Sequence, residues 1–278
     1  MSQNETPALS PKDLRKLQMV LLDMLSEVDR VCKKHDINYT LIGGTLLGAV
    51  RHGGFIPWDD DIDIAMLRSE FEKFKFVCQA EVDSDRYFFQ DNSTDPEYRW
   101  GYARLRRLDS EFVRIGQEHM KMRTGIFLDI YPADNIPDFY PLRLLHAAYC
   151  FAIRKILYAQ TGVVTGKTAL VRTIYRLLDL IPSMIAFRRL DRLAKYKSGQ
   201  QTKYVRALTF PAPKGGKLGF PAHWLAETVN LSFEDRRFQA MCAHGEYLKL
   251  KYGDYLLMPP EGKRHVHPAA VMRLPPDE

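Results

Sequence analysis

Four of the five residues from 59 to 63 are acids: Asp59, Asp60, Asp61 and Asp63. Carboxylates this close repel one another and cost stability unless a cation neutralises them. Any fold of this chain must therefore bring positive charge to this point. The flanking run from Leu41 to Ile64, LIGGTLLGAVRHGGFIPWDDDIDI, narrows the choice. Asp61 to Met66 alternates acid and aliphatic, the pattern of a strand. Residues two apart on a strand share a face, so Asp61 and Asp63 project together. Paired carboxylates aimed one way form a hard-cation site, suited to Mg²⁺ or Mn²⁺. Gly43-Gly44-Thr45 precedes a short helix spanning 45–50. A glycine turn at a helix start offers N–H groups and the positive end of the helix dipole to an anion such as phosphate. A phosphate site facing a metal site points to phosphoryl or nucleotidyl transfer. A third acid is expected on a neighbouring strand. Asp129, the lone acid in the apolar run GIFLDIY, is the best candidate, because burying it without a metal or a cationic partner would be costly.

The rest of the chain reads as mixed helices and strands. Ser10-Pro11-Lys12-Asp13 opens a helix with a capping serine, a proline at the first position and an acid placed for a capping box. Leu14, Leu17, Leu21, Leu25, Val28 and Cys32 then form one apolar stripe. Strands are expected at 39–42, 61–66, 87–90, 102–105, 111–115 and 126–131, and a helix from Ser69 onward. A loop rich in Pro and Gly spans 211–221, and a helix capped by Ser232, with Asp235 three residues on, is expected after it. The four cysteines are widely spaced with no CxxC pair, which argues against a disulfide scaffold or a cysteine zinc site. The polar N-terminus carries no basic-then-apolar signal, so the protein is expected to stay in the cytoplasm.

The net charge of +6 invites a nucleic-acid reading, but the charge is not evenly spread. Residues 141–210 hold thirteen Lys and Arg against two acids, a net of +11; the remainder holds 27 against 32, a net of −5. The basic segment also shows aliphatics at helical spacing, as in LRLLHAAYCFAIRKILYAQ. Basic amphipathic helices suit an anionic membrane surface. The alternative is a helical subdomain whose apolar side enters the core while its cations stay solvated. No nucleic-acid partner is expected.

The run GTLLGAVRHGGFIPWDDDIDIAM resembles the LicD family of phosphotransferases and the fukutin-related proteins. The resemblance continues at Gly125-Ile126-Phe127-Leu128-Asp129-Ile130 and at Tyr252-Gly253-Asp254-Tyr255, Pro259-Pro260, Arg264 and His267. It implies an α/β (α+β) fold with a polymerase-β-like nucleotidyltransferase core: a short mixed sheet, a glycine turn, an Asp-x-Asp pair and a third carboxylate. Gly43-Gly44-Thr45, Asp61 with Asp63, and Asp129 match that pattern. The implied organisation is a catalytic core in 1–140, a basic helical segment in 141–210 that could contact the membrane, and a C-terminal part in 211–278 that returns to the active site.

The resemblance further implies transfer of a substituted phosphate, such as phosphocholine, from a CDP-alcohol donor to a sugar of a surface glycan or lipid-linked acceptor, with release of CMP. Asp61, Asp63 and Asp129 are then the catalytic metal ligands, with Asp59 or Asp60 assisting directly or through water. Asp129 either completes the metal shell or serves as base. Gly43, Gly44 and Thr45 hold donor phosphate. Arg51 and His52 either contact phosphate or pair with the acid cluster. Arg104, among Arg104, Arg106 and Arg107, is placed at the substrate, with alternation along its strand deciding which one reaches it. Arg264 and His267 contact donor or acceptor; a zinc role for the His-x-His pair lacks a third ligand. Two other functions compete: a nucleotidyltransferase that attaches NMP, and a non-catalytic membrane- or glycan-binding scaffold.

Overall fold

The computed structural model describes residues 9–276, apart from 198, 212, 214–216, 261, 263 and 265–268. Helix α1 (Pro11–Lys34) starts where the capping residues place it. The Ser10 hydroxyl accepts from the Asp13 N–H at 3.1 Å and donates to the Asp13 carboxylate at 2.7 Å. Leu17, Leu21, Leu25, Val28 and Cys32 are buried along one side, and Leu14 packs at the core's edge.

The chain then runs through β1 (Thr40–Leu41), α2 (Gly43–His52), β2 (Asp63–Leu67), α3 (Arg68–Glu81), β3 (Tyr87–Gln90), β4 (Ala103–Arg107), β5 (Glu111–Arg114) and β6 (Phe127–Asn135). Four helices follow: α4 (Tyr140–Leu157), α5 (Ala159–Thr165), α6 (Ala169–Asp179) and α7 (Ser183–Ala194). The chain closes with β7 (Tyr204–Arg206), β8 (Phe220–Pro221), α8 (Ala222–Ala226), β9 (Thr228–Phe233), β10 (Arg236–Met241), α9 (His244–Tyr252) and β11 (Ala269–Arg273). The main sheet has the order β3-β4-β6-β2-β1-β10-β9, with β7 and β8 added beside the far end of β6. It is mixed: β2 lies parallel to β6 and β1 parallel to β10, while the other neighbours in this row are antiparallel. The α/β architecture expected from the sequence is therefore the observed one. The largest apolar cluster lies between this sheet and α1, α2, α3 and α9.

Three elements depart from expectation. Strand β2 begins at Asp63, so Asp61 precedes it; the Ile62 carbonyl still accepts from the Asp129 N–H at 3.0 Å, which extends the pairing one residue ahead of the strand. The helix expected at Ser232 is instead the β9–β10 hairpin, turning at Glu234, whose φ is +56°. Phe233, Phe238, Ala240 and Met241 are buried there, and β10 pairs with β1 at Leu41↔Ala240. Sheet pairing and burial outweigh a local capping motif, which carries only about 1 kcal/mol. The basic segment also contributes a strand, β7, which pairs with the end of β6 at Asp134↔Arg206.

Helices α4 and α7 share a second, smaller core in which Cys150, Ile153 and Leu157 meet Ala186, Phe187 and Leu190. Cys32, Cys78 and Cys150 are buried and free, and Cys242 is exposed and free.

Candidate active site

The register of the central strands sets three functional side chains in a row. Asp63 on β2 lies opposite Asp129 on β6, and Asp129 lies opposite Arg104 on β4. Arg104 Nε donates to Asp129 Oδ1 at 2.6 Å, and the Tyr131 hydroxyl donates to Asp129 Oδ2 at 3.2 Å. The Arg104 guanidinium lies 3.7 Å from the centre of the Phe127 ring. Alternation along β4 sets Arg107 on the other face, and hydrogen bonding then separates Arg104 from Arg106. Arg106 shares the face but is taken by the Gln90 side chain and the Gly125 carbonyl, while Arg107 pairs with Asp109. Arg104 is buried, and among the described residues its Nη1 has no hydrogen-bond partner.

The glycine turn forms the opposite wall. Gly43 has φ +61°, and a Cβ there would lie 3.0 Å from Asp63 Oδ2. A Cβ on Gly44 would lie 2.5 Å from Asp59 Oδ2. Only glycine lets the helix start approach the carboxylates this closely. The Thr45 hydroxyl accepts from the Asp63 N–H at 2.9 Å, so this side chain braces β2 against α2. The Gly43 N–H donates to the Tyr247 hydroxyl at 3.2 Å.

The acids are crowded enough to need a cation. Oxygens of Asp59, Asp60 and Asp61 lie within 4.8 Å of one another. Among the described residues Asp61, Asp63 and Asp129 form no such grouping, and both oxygens of Asp129 are engaged by Arg104 and Tyr131. Asp60 is buried against Arg114 on β5, which reaches Asp61 at 3.5 Å. The Asp63 carboxyl is pushed well above its ordinary range, first by burial and then by Asp61 and Asp129, with Lys251 opposing the shift. Burial works against the charge on Lys251, but Tyr247, Tyr252 and Asp63 more than offset it and hold the ammonium protonated. A set of converging carboxylates with one member held partly against ionisation fits a divalent metal.

Beside Asp63 a cavity of about 330 Å³ opens between the sheet and the loop after β7. Its walls include Tyr131, Phe210, Phe220 and Tyr247, with Lys251 and Arg206 as the cations. Arg206 is buried; its Nη2 donates to the Leu208 carbonyl at 3.1 Å, while Nε and Nη1 have no partner among the described residues.

The remaining expected residues divide. Arg51 Nη1 donates to the carbonyls of Tyr255 and Leu257 at 3.0 and 3.2 Å, so it clasps the segment after α9 rather than the acid cluster. His52 ends α2, and burial followed by the nearby Arg51 lowers its pKa. Arg264 stacks over Trp58, with 4.5 Å between the guanidinium and the ring centre, which brings the tail beside the acid loop. His267 lies outside the described residues. Lys251, Arg114, Tyr131 and Arg206 were not anticipated. Lys251 adjoins the Tyr252-Gly253-Asp254 motif, a usable signal; Arg114 and Arg206 sit in short strands whose sequence carries none.

A mixed α/β core with acids and a glycine turn around one cleft defines the class: a transferase built on a nucleotidyltransferase-type domain. Residues 36–146 match the family model described as "LicD/FKTN/FKRP, nucleotidyltransferase domain". The chain is 28% identical over 267 residues to the lipopolysaccharide cholinephosphotransferase LicD of Haemophilus influenzae, spanning 91% of this chain and 95% of that one. It is also 42% identical over 48 residues to the ribitol 5-phosphate transferase FKRP of mouse and of human, covering 17% of this chain and 10% of each relative.

Proposed function

We propose that the protein transfers a substituted phosphate from a CDP-activated alcohol to a sugar hydroxyl of a surface glycan or lipid-linked acceptor, releasing CMP. The observation that carries this reading is the Arg104–Asp129–Asp63 row facing the Gly43-Gly44 turn beside a partly aromatic cavity. Near full-length similarity to a cholinephosphotransferase supports the choice of reaction.

In the reaction the acceptor oxygen bonds to the phosphorus bearing the alcohol. The bond from that phosphorus to the CMP oxygen breaks, CMP leaves with the bonding electron pair, and the hydroxyl proton passes to water. Asp61 and Asp63, with Asp59, would hold Mg²⁺ or Mn²⁺. Such an ion neutralises the diphosphate and the CMP leaving group when bound. Asp129, fixed beside Asp63 by Arg104 and Tyr131, orients the acceptor hydroxyl. The helix start at Gly44 faces donor phosphate, and Lys251 and Arg206 add cations on the cavity wall. The aromatic rings of the cavity suit a flat base or an alkylammonium head.

The test is incubation with a panel of CDP-alcohols, a sugar acceptor and a divalent metal. Release of CMP with the phospho-alcohol on the acceptor supports the reading. Release of pyrophosphate with NMP on the acceptor replaces it with nucleotidyl transfer, and no transfer with any donor favours a scaffold.

A further inference from the structure

Surface helices of soluble proteins turn apolar stripes inward and charge outward. Helix α4 does not follow this rule. Its inward side buries Arg143, His146, Cys150, Ile153 and Leu157. Every exposed position is apolar or aromatic, including Leu142, Leu144, Leu145, Tyr149 and Phe151. Leu145 alone is 68% exposed.

Helix α6 repeats the arrangement. It buries only Tyr175, which accepts from Lys155 of α4 at 2.8 Å. Leu170, Ile174 and Leu177 stand at i, i+4 and i+7, on one stripe, and all three are exposed. Leu170 is 70% and Leu177 is 61% exposed. Arg172 and Arg176 occupy the opposite side of this helix. The apolar surface continues through Leu180, Met184 and Ile185 to α7, where Arg188, Arg189 and Arg192 are exposed.

An apolar surface of this extent on two packed helices needs a cover. The segment's charge of +11 says what kind, because a cationic rim around apolar side chains matches anionic headgroups over acyl chains. Among the described residues no helix is long and apolar enough to cross a membrane. We propose that the exposed faces of α4 and α6 dock the protein onto an anionic lipid surface, with the leucines in the acyl boundary and the α7 arginines among the headgroups. This goes beyond the transfer reaction and does not depend on it.

Vesicle co-sedimentation at low salt tests the proposal, comparing phosphatidylcholine–phosphatidylglycerol vesicles with phosphatidylcholine alone. The wild type pellets with the anionic vesicles and much less with the neutral ones. Leu145→Asp with Leu177→Asp lowers retention by about tenfold or more, since each exposed leucine contributes about that factor when buried. Arg188→Glu with Arg189→Glu weakens retention and removes most of its salt dependence. All these side chains are exposed, so circular dichroism and melting temperature should be unchanged. No retention on anionic vesicles would overturn the proposal, as would equal retention of the leucine variant. A wild type that sediments as a dimer, made monomeric by Leu145→Asp, would assign the face to a second copy and also overturn it. A protein that binds vesicles but releases no CMP leaves this inference standing and sinks the transfer reading.

Discussion

Asp63 and Asp129 face each other across two parallel strands, and a hydrogen-bonded arginine on a third strand holds only Asp129. Two neighbouring carboxylates thereby sit in different surroundings. Asp129 is fixed in place, while Asp63 is left in an environment that resists its charge.

Asp61→Asn and Asp63→Asn are expected to lower transfer at least a thousandfold, on the order expected when a metal's charge stabilisation is lost. The fold survives, because each change removes charge repulsion. CMP release with Mg²⁺ present checks this; full activity in either variant refutes the metal assignment.

Gly44→Ala places a methyl group 2.5 Å from Asp59 Oδ2. The carboxylate is the end of a flexible side chain and can swing away, so the melting temperature should change little. Transfer should fall by about tenfold or more, because displacing a catalytic group by about an ångström can cost up to a hundredfold. Steady-state kinetics paired with a thermal melt separates the two effects.

Arg104→Lys removes the stacked planar group and the Nε donor to Asp129. Breaking one side of a buried pair costs about 3–5 kcal/mol when the partner is left alone, and less here because lysine keeps the charge. Both stability and kcat should drop. An unchanged kcat would show that Asp129 needs no such holder.

Lys251→Gln keeps a polar side chain, slightly shorter, and removes its charge beside Asp63. The donor KM should rise by about tenfold, the usual scale for losing one charge-assisted contact to phosphate. Donor titration of CMP release measures it, and an unchanged KM would remove Lys251 from the donor site.

His146 is buried on the inner side of α4, and burial followed by Arg206 lowers its pKa from 6.5 to about 4. Below pH 6.5 the unfolded chain binds a proton that the folded one refuses. Stability is therefore lost as pH falls from about 6.5 towards 4, by at most about 3 kcal/mol. His146→Gln should flatten that part of the stability–pH profile in denaturant titrations.

The parts of the fold governed by near neighbours could be read from the chain. The Ser10 cap, the stripe along α1 and the strand at 87–90 all follow from residues a few positions apart. The β9–β10 hairpin could not, because its identity is settled by pairing with β1, some 200 positions away. The same division runs through the candidate site. The acids and glycines lie together in one motif and announce themselves. Their cations come from elsewhere: Arg104 from β4, Arg114 from β5 and Lys251 from α9. A lone arginine in a short strand looks like any other surface cation until the register places it. Arg51 shows the converse: adjacency suggests phosphate or the acid cluster as its partner, and nothing nearby in the chain hints at the backbone carbonyls of Tyr255 and Leu257 that its Nη1 also holds.

The Arg51 clasp also has a temporal side. As the chain leaves the ribosome, the acids and the glycine turn emerge early, well before the residues that neutralise and enclose them. Strand β10, Lys251 and the carbonyls of Tyr255 and Leu257 appear about two hundred residues later. Until then β1 lacks its outer neighbour and the acid loop lacks part of its counter-charge. A ribosome-bound fragment ending before α9 would thus carry the recognisable motif yet have no complete cleft. The last quarter of the chain thus closes a cleft whose motif residues the first quarter supplies.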